Sequence, residues 1–168
     1  MKINFIYAII TVAALFSVES LKAQATCDEL KKENAYLKKA LQITTPTKTL
    51  TSSKIDFNLL KCEGNSKEQT VTLTLTLVNH DANQNLQFSE AKAIDLEGNE
   101  YPSRNITIGS AQERNKIYTD TPIKATFKFT KVLPSVKIFK LIPIGYYDKE
   151  QPGRSIEIEY RDLTINWN

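Results

Sequence analysis

The chain has 168 residues, of which 41% are apolar and 24% are charged, and its formal net charge at pH 7 is +3. This length suits one globular domain with a removable leader and is too short for two sizeable cores, while the apolar content argues against disorder. The small net charge excludes the strong field typical of nucleic-acid-binding proteins and of proteins held on anionic membrane surfaces.

Residues 1–25 have the pattern of a secretory signal peptide. Lys2 precedes an apolar stretch, Ile3–Val18, and a polar exit then leads to Ala23-Gln24-Ala25, where cleavage after Ala23 or after Ala25 fits the small residues. The apolar stretch is short for a membrane-spanning helix, which needs about 17–25 residues, so cleavage is favoured over an uncleaved anchor. We therefore expect a secreted or periplasmic protein.

Residues 26–43 are predicted to form an amphipathic helix. Thr26 and Glu29 have the spacing of a capping box. Leucines recur at one of the two contact positions of a heptad repeat, and an asparagine lies at the second contact position, as in a short coiled coil. The residues at the first position are Leu30 and Leu37, and those at the second are Cys27, Asn34 and Leu41. The run is shorter than three heptads, so a single helix lying across one end of the following domain remains the alternative to self-association.

Residues 44–53 are predicted to be a linker, because they are rich in Thr and Ser and contain Pro46 without an apolar period. Residues 54–168 are predicted to form a β-domain. Its clearest strand is Thr70–Val78, in which one face is apolar and the other carries threonine hydroxyls. The apolar members are Val71, Leu73, Leu75 and Leu77.

Shorter runs of alternating apolar residues, separated by turn residues, surround this central strand. Seven or so strands at this spacing predict an all-β, immunoglobulin-like antiparallel sandwich. The run Val136–Tyr146 is apolar on both faces, which indicates a buried strand or an interface. A one-residue slip at Arg161-Asp162 predicts a bulge. Gly109–Asp120 is predicted to be a long polar connection, and Glu97-Gly98-Asn99 a tight hairpin turn.

Four segments in this order carry a family resemblance: VTLTLTLVN, AIDLEGNEY, TPIKATFKF and IFKLIPIGY. They resemble the secreted bacterial immunoglobulin-like sandwiches related to the immunoprotective extracellular antigen family. The similarity spans Lys54–Trp167, and the matching positions are Asn79, Asp95, Gly98, Tyr101, Pro122 and Phe129. The resemblance implies an exported sandwich and supplies no active-site residues.

The chain's one histidine, His80, stands beside Asp81 in the polar loop Asn79–Asn85. A catalytic reading needs a nucleophile close by, and no nucleophile-elbow motif is present. The oxygens of this loop, or those of Asp95, Glu97, Asn99 and Glu100, could face Ca²⁺, but neither set has the spacing of a calcium loop. We therefore assign no catalytic, cofactor-binding or metal-binding residues and expect no cofactor.

Cys27 and Cys62 are the two cysteines of the chain. Export permits a disulfide between them, or between two copies of Cys27 across a coiled coil with Cys62 left buried. A Cys27 that is bonded to a second copy or remains free is favoured over the intramolecular bond. The two cysteines alone cannot form a metal site. Lipidation of Cys27 is disfavoured, because Thr26 and Gln24 occupy the positions where a lipobox has a small residue and a leucine.

Aromatic side chains offer one further candidate surface, although such residues are more often core or rim residues. The candidates are Tyr118, Tyr146, Tyr147 and Trp167.

Together these patterns predict an exported, non-enzymatic interaction module of the bacterial cell envelope that binds a protein partner or self-associates through its N-terminal helix. The sequence assigns no ligand. The first alternative is a structural subunit of an envelope assembly, in which Val136–Tyr146 pairs with another chain. The second is a hydrolase or carbohydrate-active domain that uses the loop Asn79–Asn85.

Overall fold

The computed structural model of the chain describes residues 27–36, 45–147 and 153–168. They divide between two units, Met1–Thr44 and Thr45–Asn168. In the first unit, residues 27–36 form an exposed helix, α1, which confirms a short helix within the predicted range 26–43. The predicted signal peptide and the second half of the predicted helix lie outside the described residues. No helix in the described ranges is both long enough and apolar enough to cross a membrane.

The second unit is built from β-strands, which confirms the all-β class. Its described residues contain eleven strands: β1 (Lys48–Ser52), β2 (Ile55–Asn65), β3 (Thr70–Asn79), β4 (Gln84–Asp95), β5 (Glu100–Ile108), β6 (Ala111–Gln112), β7 (Arg114–Ile117), β8 (Ile123–Thr130), β9 (Ile138–Tyr147), β10 (Ile156–Thr164) and β11 (Asn166–Trp167).

The strands form one nearly closed, mainly antiparallel arrangement in the order β1-β2-β3-β8-β5-β4-β9-β10. It folds into two layers because β5 changes partner along its length. Glu100–Pro102 of β5 pairs with β4, whereas the segment from Ser103 to Ile108 pairs with β8. One layer therefore contains β1, β2, β3 and β8, and the other contains β4, β9 and β10. The two layers make a sandwich.

The expectation of about seven strands is wrong in number. The segment 44–53, predicted as a linker, contains β1, and the predicted connection Gly109–Asp120 contains β6 and β7. These short strands lack an apolar alternation of their own; pairing with β2, β5 and β4 holds them extended. Conversely, the apolar runs on either side of Ser89 join into the single strand β4, with a register shift between Phe88 and Glu90.

The central strand β3 lies between β2 and β8, as its pattern predicts. Its four apolar side chains, Val71, Leu73, Leu75 and Leu77, are fully buried. The opposite face is less exposed than the alternation predicts, because Thr74 is also buried between Lys61 of β2 and Thr126 of β8. Long neighbouring side chains can cover a short threonine on a flat sheet.

Aromatic pairs join the two layers across the core. Phe88 of β4 meets Phe127 of β8 edge-on at 4.8 Å between ring centroids, and Phe57 of β2 lies 5.1 Å from Tyr146 of β9. The Tyr160 hydroxyl of β10 donates a hydrogen bond of 2.7 Å to the Phe57 carbonyl. Such tilted and edge-on contacts add about 0.5–1.5 kcal/mol each beyond the area they bury.

The predicted change of face at Arg161-Asp162 occurs, because Tyr160 and Leu163 are both buried although three positions separate them. The bulge predicted to cause it is wrong. Arg161 pairs with Leu141 and Leu163 with Phe139, so the register with β9 is unbroken, and the chain instead turns through Asp162 at a φ of +56°. Strand β11 then lies parallel to β2, where the ring of Trp167 packs directly on Gly64. A Cβ at Gly64 would lie only 2.3 Å from this ring, so glycine is required for the close approach.

A pair of carboxylate substitutions tests the assignment of faces on β3. Leu75→Asp places an unpaired charge in the core and is expected to cost more than about 4 kcal/mol, enough to prevent folding of a domain of ordinary stability. Thr72→Asp is the matched control: the site is half-buried between Lys128 of β8 and Glu63 of β2, so attraction to one neighbour offsets repulsion by the other, and the cost should be only about 1 kcal/mol. Far-UV circular dichroism and urea unfolding measure both; equal losses would contradict the assignment.

Candidate functional site

Three regions of the structure bear on function: the His80 cluster, the β4–β5 turn with a neighbouring groove, and the two cysteines. His80 directly follows β3, and its amide donates a hydrogen bond of 2.8 Å to the Lys54 carbonyl in the β1–β2 turn. The Asp120 amide donates 2.7 Å to the Asn79 carbonyl. These backbone bonds hold the β3 end, the β1–β2 turn and the segment before β8 together.

The imidazole of His80 bridges two carboxylates. Its Nε2 lies 2.9 Å from Oδ2 of Asp56, and its Nδ1 lies 2.8 Å from Oδ1 of Asp120. Because ionised carboxylates only accept, both bonds form only when both ring nitrogens carry protons. Hydrogen bonds to Asp56 and then Asp120 accordingly raise the pKa of His80. Hydrogen bonds from Thr51 and then His80 lower the pKa of Asp56.

In this geometry the protonated ring of His80 has a structural role, linking Asp56 to Asp120. A general base needs a ring nitrogen with a free lone pair, and both nitrogens of His80 face carboxylates here. The sequence neighbour Asp81 is not a partner of the ring; its carboxylate lies 3.9 Å from the Lys54 ammonium. The ring's partners are 24 and 40 residues away in the chain, so adjacency in sequence could not identify them.

The amide side chains of Asn79 and Asn83 form hydrogen bonds within the loop Asn79–Asn85 and to the neighbouring Thr119. The Asn79 amide group is buried and donates 2.8 Å to the Asp81 carbonyl, while its Oδ1 accepts 2.9 Å from Gln84. Oδ1 of Asn83 accepts 3.0 Å from the Thr119 amide. The side-chain oxygens of Asn79 and Asn83 thus serve as turn acceptors rather than pointing at a shared centre.

The second set of oxygens considered for calcium forms the β4–β5 turn. The Asp95 carboxylate is buried and accepts four hydrogen bonds of 2.8–2.9 Å, from the amides of Glu97 and Asn99, the Asn99 side chain and the Tyr101 hydroxyl. Burial opposes ionisation of Asp95, but these bonds outweigh it and lower its pKa. Burial and then Asp95 raise the pKa of Tyr101 to about 12. Gly98, with a φ of +86°, completes the predicted turn.

Within the described ranges, no group of three or more His, Cys, Asp or Glu side chains is arranged to hold a metal ion.

A groove opens beside this turn. We call it the end groove: a cavity of about 300 Å³ between the β4–β5 turn, with Leu96 and Glu97, and the β8–β9 loop, with Leu133, Val136 and Lys137. Leu96 is 67% exposed and Leu133 is 51% exposed. Sequence reasoning missed this pair, because 37 residues separate the two leucines and no local pattern relates them.

The four aromatic residues considered as one binding face do not share a surface. Tyr146 is fully buried, with its hydroxyl bonded to Ser52, and Trp167 covers Gly64. Tyr118 is exposed, and Tyr147 is half-buried on β9. The favoured interpretation of these residues as core or rim residues therefore fits better than an aromatic face, because the alternation of β9 turns Tyr146 and Tyr147 to opposite sides of the sheet.

The two cysteines occupy different environments as free thiols. Cys27 is exposed on α1, whereas Cys62 of β2 is buried. Burial, with a smaller contribution from Glu63, raises the pKa of Cys62 to about 12. Since the thiolate is the reactive form, Cys62 is unreactive at neutral pH while it stays covered.

No family model matches the sequence, and no curated protein matches it. Three solved structures are distantly similar in fold. A family 123 glycoside hydrolase from Clostridium perfringens has 13% identity and a TM-score of 0.37 over 63% of this chain and 22% of its own, so this chain spans less than a quarter of that enzyme. The PapD-like domain 7 of human CEP192 has 12% identity and a TM-score of 0.35, covering 75% and 95%. The yeast GGA1 GAE domain has 19% identity and a TM-score of 0.34, covering 68% and 96%.

The His80 bridge predicts a pH-dependent contribution to stability. The pKa of His80 is raised in the folded state, so its contribution is complete below the unfolded pKa of about 6.5 and is lost as pH rises through the folded pKa. The lowered pKa of Asp56 means that the contribution of this carboxylate is present above about 3.8 and is lost as pH falls through its folded pKa.

The melting temperature of wild type should therefore exceed that of His80→Gln most at pH 5–6, and the difference should shrink toward pH 8. Glu113→Gln, which alters an exposed carboxylate outside the cluster, should show no such trend. A difference between wild type and His80→Gln that is constant with pH would contradict the bridge.

Proposed function

We propose that the chain is an exported, non-enzymatic interaction module of the bacterial cell envelope, an immunoglobulin-like sandwich that binds a protein partner through the end groove. One observation carries the proposal: Leu96 and Leu133, two strongly exposed apolar side chains from segments far apart in sequence, border the same cavity. Single exposed leucines are common on soluble proteins, but apolar side chains facing each other across a cavity are typical of binding sites.

The walls of the groove are rigid. The Asp95 hydrogen bonds hold the β4–β5 turn. Across the groove, the Val136 amide bonds to the Leu133 carbonyl at 2.9 Å, and the Trp167 indole donates 2.7 Å to the Val136 carbonyl. A preformed site spends little binding energy on ordering its own loops, which favours recognition over a merely sticky surface.

The chemistry of the groove suits an apolar side chain flanked by polar groups. Leu96, Leu133 and Val136 supply apolar contact, Glu97 supplies a carboxylate on one wall and Lys137 an ammonium on the other. Full burial of one leucine is worth about 1.5–3 kcal/mol, so contact with both would supply a substantial part of a micromolar affinity.

Export and envelope location are supported by the leader pattern of residues 1–25 and by the resemblance to the immunoprotective extracellular antigen family. Self-association is supported by α1, on which Leu30 and Tyr36 are strongly exposed and Cys27 occupies a predicted heptad contact position. An amphipathic helix with an exposed apolar side chain at a heptad contact position gains stability when a second copy covers it.

The alternative of a structural subunit needs a free strand edge. Strand β9 pairs with β4 on one side and β10 on the other, so the segment from Ile138 to Tyr147 offers no free backbone edge. In this sheet the outermost strands are β1 and β10. An assembly through strand pairing would therefore use those edges.

Selection of short phage-displayed peptides on the full chain tests the end groove. Peptides that bind wild type should lose affinity about 10–100-fold with Leu133→Glu or Leu96→Glu, because each change replaces a buried apolar contact with a charge. Tyr118→Glu, at a side chain as exposed as Leu133 but outside the groove, is the matched control. Binding that survives both leucine variants, or is lost equally with the control, would rule the groove out.

Light scattering after size exclusion tests self-association separately. The mature chain should run as an oligomer, and deletion of residues 26–43 should return a monomer. Leu30→Lys, at a heptad contact position, should do the same, whereas Lys31→Glu, outside the heptad contact positions, should leave the mass unchanged. A monomer in every case would refute the coiled-coil hypothesis while leaving the end groove untouched.

A further inference from the structure

A second opening, distinct from the end groove, lies where the nearly closed sheet fails to close. Strand β1 covers β2 as far as Leu59, and β11 resumes the pairing at Glu63. The pairing of β2 with β3 shifts register between Leu59 and Lys61. Within the described part of the chain, Leu60, Lys61 and Cys62 therefore have no strand partner on the outer edge of β2.

Strand β10 faces the same opening. It pairs with β9 alone and is the last strand of the sheet order, so its other edge has no strand partner among the described residues. The Lys48 ammonium reaches across from β1 and lies 3.5 Å from the Arg161 carbonyl. Between the two edges is a cavity of about 400 Å³ lined by residues of β1, β2, β10 and β11, which we call the seam.

The seam has an apolar floor and a cationic rim. Leu59, Cys62 and Leu163 line it and are buried. Three cations and one carboxylate stand around it; they are Lys48, Lys61, Arg161 and Asp162.

Most of these charges are already paired. Lys61 lies 2.8 Å from Glu63, Arg161 pairs with Glu159, and Asp162 lies 2.6 Å from Lys140. Lys48 is exposed and forms no ion pair within 4 Å among the described residues. It acts at longer range on Asp162, whose pKa is lowered first by Lys140 and to a smaller extent by Lys48. An anionic group entering the seam would therefore meet a cation that breaks no direct ion pair to bind it.

We propose that the seam binds an extended peptide segment carrying a carboxylate side chain, which adds as a short strand to β2 at Leu60–Cys62 and pairs its carboxylate with Lys48. Two facing strand edges with unmatched backbone groups are the geometry that strand addition satisfies. At about 3.3 Å per residue, the open stretch of β2 accommodates roughly three to four residues. An acyl chain with an anionic head would match the floor and the rim but leave both backbone edges unpaired.

Amide hydrogen exchange reports on occupancy of the seam, because a bound strand accepts from the outward-facing amides of β2. The Gly64 carbonyl and the Ser66 amide bond to Asn168, so the period of two places the Cys62 amide at the same outer edge. The probe is the capped tripeptide acetyl-Thr-Glu-Thr-amide, and its counterpart has Gln in place of Glu. Exchange of the Cys62 amide in the mature chain is followed across a peptide titration, with laurate as the acyl arm and an uncapped Gln peptide as the terminal-carboxylate arm.

The Glu peptide should increase hydrogen-exchange protection of the Cys62 amide in a saturable way. It should bind about fivefold more tightly than the Gln peptide, the size expected for a partly exposed ion pair. Lys48→Gln should abolish this fivefold difference, while Lys116→Gln, at an exposed lysine outside the seam, should preserve it. Leu133→Glu should leave all of these readouts unchanged, so failure here is distinguishable from failure of the end groove.

Other outcomes would overturn the proposal. Equal affinity of the Glu and capped Gln peptides would remove the role of Lys48, and stronger protection by the uncapped Gln peptide would assign the site to a chain terminus instead. Protection by laurate with neither peptide active would make the seam an acyl site. No protection by any arm would show that bulging and charge at these edges serve to keep strands out.

Discussion

The packing of two apolar sheet faces against each other is the interaction on which this domain depends. The buried row of β3 and the aromatic pairs that cross the core, such as Phe88 with Phe127, join layers whose strands come from both halves of the chain. Side chains along a strand point alternately to the two faces of the sheet, so a residue that faces the core places its neighbours in the strand on the opposite face. The distribution of functional side chains over the surface is therefore a consequence of how the core is filled.

The ends and edges of the sandwich are fastened in chemically different ways. At one end, the protonated ring of His80 bridges Asp56 and Asp120, so the fastening weakens when the ring loses its proton. At the β4–β5 turn, Asp95 accepts bonds from neutral donors, and this network is insensitive to pH near neutrality. The end groove and the seam are the two cavities that we propose as binding sites.

Sequence reasoning succeeded wherever the controlling interaction was local. The alternation in β3 and the turn at Gly98 each follow from a few adjacent residues, and the structure has both. It failed where another strand decides the outcome. Strand β1 forms in a Thr- and Ser-rich segment without an apolar period, because β2 offers it a backbone edge to pair with. Which of the aromatic residues is buried was likewise decided by partners on other strands, such as Gly64 beneath Trp167.

By itself, the sequence determined that the described domain is all-β, which face of β3 is buried, and where the chain turns, since these depend on side-chain alternation and on glycine at positive φ. Only the tertiary structure decided which residues meet. It brings Asp120 to His80 from 40 positions away and places Leu96 and Leu133 around the same cavity. It also leaves the outer backbone edge of β2 without a strand partner near Cys62. Strand order and register are set by the packing of the whole core, and no local pattern encodes distances between segments remote in the chain.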